Sequence, residues 1–310
     1  MSRRVVSGVR RREVSLHTAA LCLSAALLAA PSRGQCPQWT SSDPSALRAV
    51  ALFEGEADPA VARSIAALGA NAVASLNPPD AAAGASLAAA GLGYVARIAV
   101  RDVERLPVDP DAVRRLRAVP ALVGLEYFDD SVTEGYAAPE TQQRAYGILR
   151  SLFPDLLVLY ATRLDPIATD PTYLDDYFRP QFTDLVVPYF YPVGDTILGP
   201  EQETDAWEDR LRALLAPVAA RTPATQGIFP VLQAFEQAGY PLSGGFLRRQ
   251  VGIYAELWPA NSNAILFAWS AGDSSRGIDE SPVLRRATEW LFGAVPSAPR
   301  PCLPPARGDR

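Results

Sequence analysis

The chain has 310 residues, 48% hydrophobic and 20% charged, which is enough apolar side chain for one large core and excludes a disordered polypeptide. Its net charge of −5 and pI near 5.1 argue against nucleic acid or an anionic membrane surface as a partner. All 29 basic residues are arginine and His17 is the only histidine, so Schiff-base chemistry is excluded throughout, and histidine chemistry is excluded after residue 17.

In chain order, the first segment reads as a secretory signal. Arg3, Arg4, Arg10, Arg11 and Arg12 precede the apolar run Leu16 to Ala30, and the small residues of "PSRGQC" follow. That run is shorter than the roughly 20 residues a membrane span needs, so no stable membrane insertion is expected after cleavage near residue 34. Removing residues 1–34, with six arginines and one glutamate, takes the net charge from −5 to −10. Cys22 leaves with the signal. Cys36 and Cys302 then stand near the two ends of a secreted or periplasmic chain and are expected to pair.

From Ala49 onward, eight β-rich runs alternate with eight helix-like stretches. The runs begin at Ala49, Asn71, Gly93, Leu122, Asp155, Asp184, Thr225 and Asn263, and they are continuously apolar, as strands buried on both faces are. Several intervening segments open with Asp or Ser, or with Pro in the first turn, and some close with Gly. Eight β-then-α units predict a single-domain α/β fold, a (β/α)8 TIM barrel over residues 35–293, followed by a Pro-rich tail over 294–310. An open doubly wound sheet would carry a Gly-rich phosphate loop after its first strand, and "LFEGEADP" is not one. Closing the barrel brings strand eight beside strand one, which gives the two cysteines a reason to be neighbours.

Active sites of this fold lie at the carboxyl ends of the strands. Those ends supply Glu54 and Glu56, Asn77, Arg97, the group Glu126, Tyr127, Asp129 and Asp130, then Tyr160, Arg163 and Asp165, Tyr189 and Tyr191, Gln233 and Phe235, and finally Trp269 and Asp273. Aromatic faces beside carboxylates, an amide and an arginine suit a carbohydrate: rings for the C–H surfaces, polar groups for the hydroxyls. Asn77, Arg97, Tyr160, Tyr189, Tyr191, Gln233 and Trp269 are therefore the expected binding residues. Alternation on strand four puts Glu126, Phe128 and Asp130 on one side and Tyr127 and Asp129 on the other. Glu126, deeper than Asp130, is expected as a structural partner of Arg97.

Four segments resemble a bacterial group of glycoside-hydrolase-like barrels related to the retaining-glycosidase clan. "GLEYFDDS" resembles that group's G-x-Y-x-x-D-E-P strand end, "VVPYFYPVG" its D-x-Y-P segment, "VLQAF" its x-x-L-Q-A-F run, and "AILFAWSAG" its G-x-x-x-Y-S-W end. The resemblance implies that Asp130 takes the place of the acid that protonates the leaving group, that Asp129 is the aspartate before it, and that Trp269 is the aromatic platform. The sequence departs from the pattern at Ser131, where proline is expected, and at Gln233, where the clan carries its nucleophilic glutamate.

Hydrolysis by two carboxylates then needs another acid. Glu54 at the end of strand one is the first choice, with Glu126, Asp165, Asp195 and Glu236 behind it. Three readings follow: an exported glycoside hydrolase using Asp130 and Glu54, a barrel that binds carbohydrate without turnover, and a metal-assisted hydrolase with Asp129, Asp130 and Glu54 on Mg2+ or Ca2+. The third ranks last because adjacent strand residues point apart. No cofactor or metal is expected, the partner is a carbohydrate, and nothing in the sequence signals an assembly beyond a monomer.

Overall fold

Eight parallel strands close into a barrel. The structure, a computed structural model, describes residues 46–52, 57–128, 137–170, 172–196, 199–203, 206–270 and 275–293, with the side chains of 195 and 196 excepted. The signal segment, Glu54, Asp129, Asp130, Asp273, Cys36 and Cys302 lie outside the described residues. Strands β1 (Arg48–Leu52), β2 (Ala72–Ser75), β3 (Gly93–Ala99), β4 (Leu122–Phe128), β5 (Leu157–Arg163) and β6 (Leu185–Tyr189) pair in sequence order. The seventh, β7, is interrupted (Gly227–Ile228 and Val231–Gln233), and β8 (Ala264–Phe267) pairs with β7 on one side and β1 on the other. With β7 also paired to β6, the sheet has no free edge. The chain is a (β/α)8 barrel.

Each strand is buried on both faces, which explains the unbroken apolar runs. One face meets the lumen: Ala49, Ala51, Ala72, Ala74, Val95, Leu159, Val187, Phe229, Val231 and Ile265 pack there. The other meets the surrounding helices and carries Val50, Leu52, Val73, Tyr94, Tyr127, Tyr160, Val186, Leu232 and Leu266. Small alanines on β1 and β2 face larger side chains from β5, β7 and β8, so the lumen is filled rather than open.

The helices start where the sequence supplies caps. Asp58 accepts from Ala60 N and Val61 N at 2.7 and 2.9 Å before α1 (Pro59–Ala67), and Asp80 accepts from Ala82 N and Ala83 N before α2 (Ala81–Ala89). One helix was not expected: α3 (Val100–Arg105) begins directly at the end of β3, with no side-chain cap, and buries Val100 and Val103. Beyond it α4 (Pro110–Arg117), capped by Asp109, covers the same β3–β4 connection. After α5 (Pro139–Leu152), the helix-like stretch between strands five and six forms only the short α6 (Tyr173–Tyr177) and single turns on either side of it. Helices α7 (Trp207–Arg221), α8 (Phe246–Leu257) and α9 (Pro282–Phe292) complete the set, the last closed by Gly293 at φ 75°.

Prolines account for the break in β7. Val186 accepts from Phe229 N at 2.7 Å, so residues two apart on β6 direct their backbone polar groups toward β7. Pro188 is next in that series and has no N–H to offer. Pro230 stands in β7 itself and can only accept, which it does from Ile265 N at 2.9 Å. One donor is therefore missing on each side of β7, Pro188's from the β6 side and Pro230's toward β8, and the ladder to β6 resumes only at Val231 opposite Tyr189.

Candidate functional site

At the carboxyl ends of the strands the lumen series ends in polar and aromatic residues. On β3 the series Val95 leads to Arg97, and on β4 the even-numbered residues lead to Glu126 and Phe128, with Arg97 and Glu126 opposite each other in register. Arg97 Nη2 and Nε bond Glu126 Oε1 at 2.7 and 3.2 Å, the ion pair expected from the sequence. The Arg97 guanidinium also lies over the Phe128 ring, 5.1 Å from its centroid. Burial alone would lower the Arg97 pKa, but the charge and hydrogen bond of Glu126 outweigh it and the pKa is raised. Arg97 is a fixed cation.

A second pair sits two strands on. Ala161 precedes Arg163 on the lumen face of β5, and Arg163 Nε bonds Asp165 Oδ1 at 2.6 Å. Asp165 is 4% exposed, and its Oδ2 is buried without a hydrogen-bond partner among the described residues. Tyr189, opposite Arg163 in register, has its pKa pushed up to about 12, chiefly by burial. Arg163 and Arg97 pull it down while Glu126 and Asp165 push it up, so one hydroxyl is within electrostatic reach of both ion pairs. Burial holds the Tyr191 hydroxyl still further above its ordinary value. Both phenols are neutral hydrogen-bonding groups at any ordinary pH.

Aromatic rings close the other side. Tyr191 stacks on Phe267 with centroids 5.2 Å apart at 19°, and meets Phe235 edge-on at 5.1 Å. Tyr189 lies 6.2 Å from Tyr191. Such pairs contribute about 1 kcal/mol each beyond the area they bury, which fixes the wall's shape.

Gln233, at the end of β7, makes a complete set of structural bonds. Its Nε2 donates to Val193 O at 2.7 Å and Phe235 O at 3.2 Å, and its Oε1 accepts from Val193 N at 3.0 Å. Gln250 on α8 bonds its backbone N and O in turn. With 0% exposure, Gln233 ties the segment after β6 to the tip of β7. That segment continues into an antiparallel ribbon, Gly194–Thr196 with Gly199–Glu201, and a second ribbon pairs Glu236–Gln237 with Ser275–Arg276. Gly194 and Gly277 permit these close approaches. A Cβ on Gly194 would collide with Gln237 Oε1, and one on Gly277 with Trp269 O.

The structure thus brings Arg97, Tyr189 and Tyr191 together, and Asn77 is an exposed residue just past β2 whose backbone oxygen accepts from Arg97 N at 3.2 Å. Two other expected binding residues are on the helix side of the wall. Tyr160, 6% exposed, stacks on Tyr127 at 5.0 Å and accepts from Ala137 N, because Leu159 and Ala161 hold the lumen side of β5. Trp269, 7% exposed, packs in the outer apolar cluster, and Phe267 takes the lumen place at the end of β8. Phe267 was missed because "NAILFAW" does not alternate, so the sequence offered no parity for that strand. Arg163 was visible only as part of the polar end of strand five, and Asp165 there also as a weaker candidate for the second carboxylate. Among the described residues no group of three or more His, Cys, Asp or Glu side chains could hold a metal, and no helix is long and apolar enough to cross a membrane.

No protein-family model matches the chain, and no curated protein matches it in sequence. Its barrel does match solved structures. The spore cortex-lytic enzyme SleL of Bacillus cereus is 8% identical, with 80% of this chain and 74% of that one covered at a TM-score of 0.56. A β-glucuronidase of Bacteroides uniformis is 12% identical over 79% of this chain and 35% of that one, TM-score 0.51. A GH2 β-galacturonidase from Eisenbergiella tayi is 12% identical over 83% and 52%, TM-score 0.52. The likeness is one of fold. This chain spans about a third to a half of the β-glucuronidase and β-galacturonidase structures it matches.

Proposed function

We propose that this protein is an exported glycoside-hydrolase-like barrel that acts on a glycan seated over Tyr191, Phe267 and Arg97, with Asp130 donating the proton to the leaving group. The observation that carries the reading is the lumen face of β4: Glu126 and Phe128 point into a cup walled by stacked aromatic rings, and Asp130 is next in that even-numbered series. Asp129 stands beside it in sequence, and Glu54, two residues past β1, is the proposed second carboxylate. Glu126 is a poorer choice for that role, because both Nε and Nη2 of Arg97 engage its Oε1. The solved barrels that resemble this one include a cortex-lytic enzyme and a β-glucuronidase, which adds support for a carbohydrate as the partner. Export, secreted or periplasmic, with cleavage after residue 34 and a Cys36–Cys302 bridge, belongs to the same proposal.

A second reading has an observation of its own. The amide of Gln233 is fully engaged where a strand-seven carboxylate would act, which fits a barrel that binds carbohydrate without turning it over. One experiment separates the two: the purified chain, Asp130→Asn and Glu54→Gln are assayed on a glycan panel, with binding followed by calorimetry. Turnover that falls at least about a hundredfold in both variants while binding persists supports the two-carboxylate hydrolase. Binding without turnover in the parent chain supports the binding barrel, and no binding to any glycan sinks both.

A further inference from the structure

We propose that the cup selects an acidic glycan, one carrying a uronate carboxylate, and that Arg97 and Arg163 receive this group beside Tyr189. The inference rests on the glycan reading above and names its substrate class. In both ion pairs the acid is the more buried partner, Glu126 at 13% and Asp165 at 6% side-chain exposure, while the arginines keep 28% and 27%. The carboxylates are therefore more enclosed than the cations they hold, and the Arg97 guanidinium keeps an edge that an incoming ligand can meet. Arg97 uses Nε and Nη2 on a single oxygen of Glu126 and has its face covered by Phe128. Its Nη1 has no hydrogen-bond partner among the described residues, so it remains a preorganised donor.

Arg163 stands opposite Tyr189 in register and Arg97 lies on the same lumen face two strands before Arg163, an arrangement in which both cations lower the Tyr189 pKa and both can stabilise an anion placed beside it. A neutral sugar hydroxyl could also accept from either arginine. Hydrogen bonds in which both partners are charged are about twice as strong, and a planar carboxylate matches a guanidinium edge. Tyr189 and Tyr191 add neutral hydroxyl donors, which solvate a carboxylate without opposing it. Arg163 and Asp165 take no part in the two-carboxylate chemistry proposed above, and a binding role gives their pairing a use.

The test compares oligosaccharides of glucuronate and of galacturonate with their methyl esters, which remove the charge and keep the ring. Calorimetry should show the acids binding about tenfold or more tighter than the esters, a ratio that shrinks as salt rises. Removing each arginine alone strands a buried carboxylate, so the double variants R163Q/D165N and R97Q/E126Q are used, with circular dichroism confirming that they fold. In each, the acid-to-ester ratio is expected to fall severalfold toward one, the remaining arginine keeping part of the preference. Equal affinity of acids and esters for the parent chain, or an unchanged ratio in both folded double variants, overturns the inference. The parent-chain comparison decides the matter alone if a variant does not fold. Binding of neutral glycans with no preference for acids would overturn this inference and leave the glycan reading standing, whereas no binding to any glycan would remove both.

Discussion

Gln233 shows how much a single amide can do. It satisfies three backbone groups in a site with no exposure, so its bonds replace water that cannot enter. Changing Gln233→Glu keeps the shape but removes both Nε2 donors and sets a carboxylate against the Val193 and Phe235 carbonyls. Burial and those oxygens would raise the folded-state pKa of the new acid above its unfolded value near 4.3. A raised pKa gives stability that is present below the unfolded value and lost as pH rises through the folded one. The variant should therefore lie close to the parent at pH 4 and be at least about 2 kcal/mol less stable at pH 7 in urea unfolding. A penalty equal at both pH values would mean that the amide is not sealed as described. At this scale the sequence was legible in part. Arg97 and Glu126 lie on consecutive strands at matching heights, so their pairing followed from strand order. Trp269 and Phe267 could not be sorted, since a run that is apolar on both faces carries no alternation.

Among the elements, the strands and capped helices could be read because their causes are local. Asp58, Asp80 and Asp109 each bond the first free N–H groups of a helix, and Pro follows directly at two of the three. Replacing Asp58 or Asp80 by Ala should cost about 1 kcal/mol each, and the double variant about 2, because the two caps share no partner. Thermal melts at neutral pH check this, and a loss well below the sum would show that the helices α1 and α2 are coupled through their starts. What escaped the sequence at this scale has non-local causes. The helix α3 has no cap to announce it and is held by Val100 and Val103 against the core. The break in β7 depends on Pro188 in β6 as well as on its own Pro230, so it needed the partner strand to be known.

The whole molecule has an unusual titration inventory. Without lysine, and with His17 its only histidine, few side chains change charge between about pH 5.5 and 9, and stability should be nearly flat across that window. Above it the tyrosines decide. Burial raises Tyr127 and Tyr254 well past the ordinary value near 10, and both are essentially without exposure. For an acid whose folded pKa is raised, the stability it contributes is intact below the unfolded value and is lost as pH climbs toward the folded one. Each of these two tyrosines should then remove about 1.4 kcal/mol per pH unit above pH 10, and Tyr189 and Tyr191, also raised by burial, steepen the decline further. No lysine titrates in the same range to blur the slope. Tyr254 isolates the effect, since its hydroxyl is buried with no hydrogen-bond partner among the described residues. Tyr254→Phe removes an unsatisfied polar atom without emptying space, so it should leave stability at pH 7 unchanged or raised by about 1 kcal/mol. Above pH 10 it should flatten the decline by about 1.4 kcal/mol per pH unit. Urea unfolding of the parent and variant at pH 7, 10 and 11 measures both, and parallel declines would show that Tyr254 ionises in the folded protein as readily as in the unfolded chain.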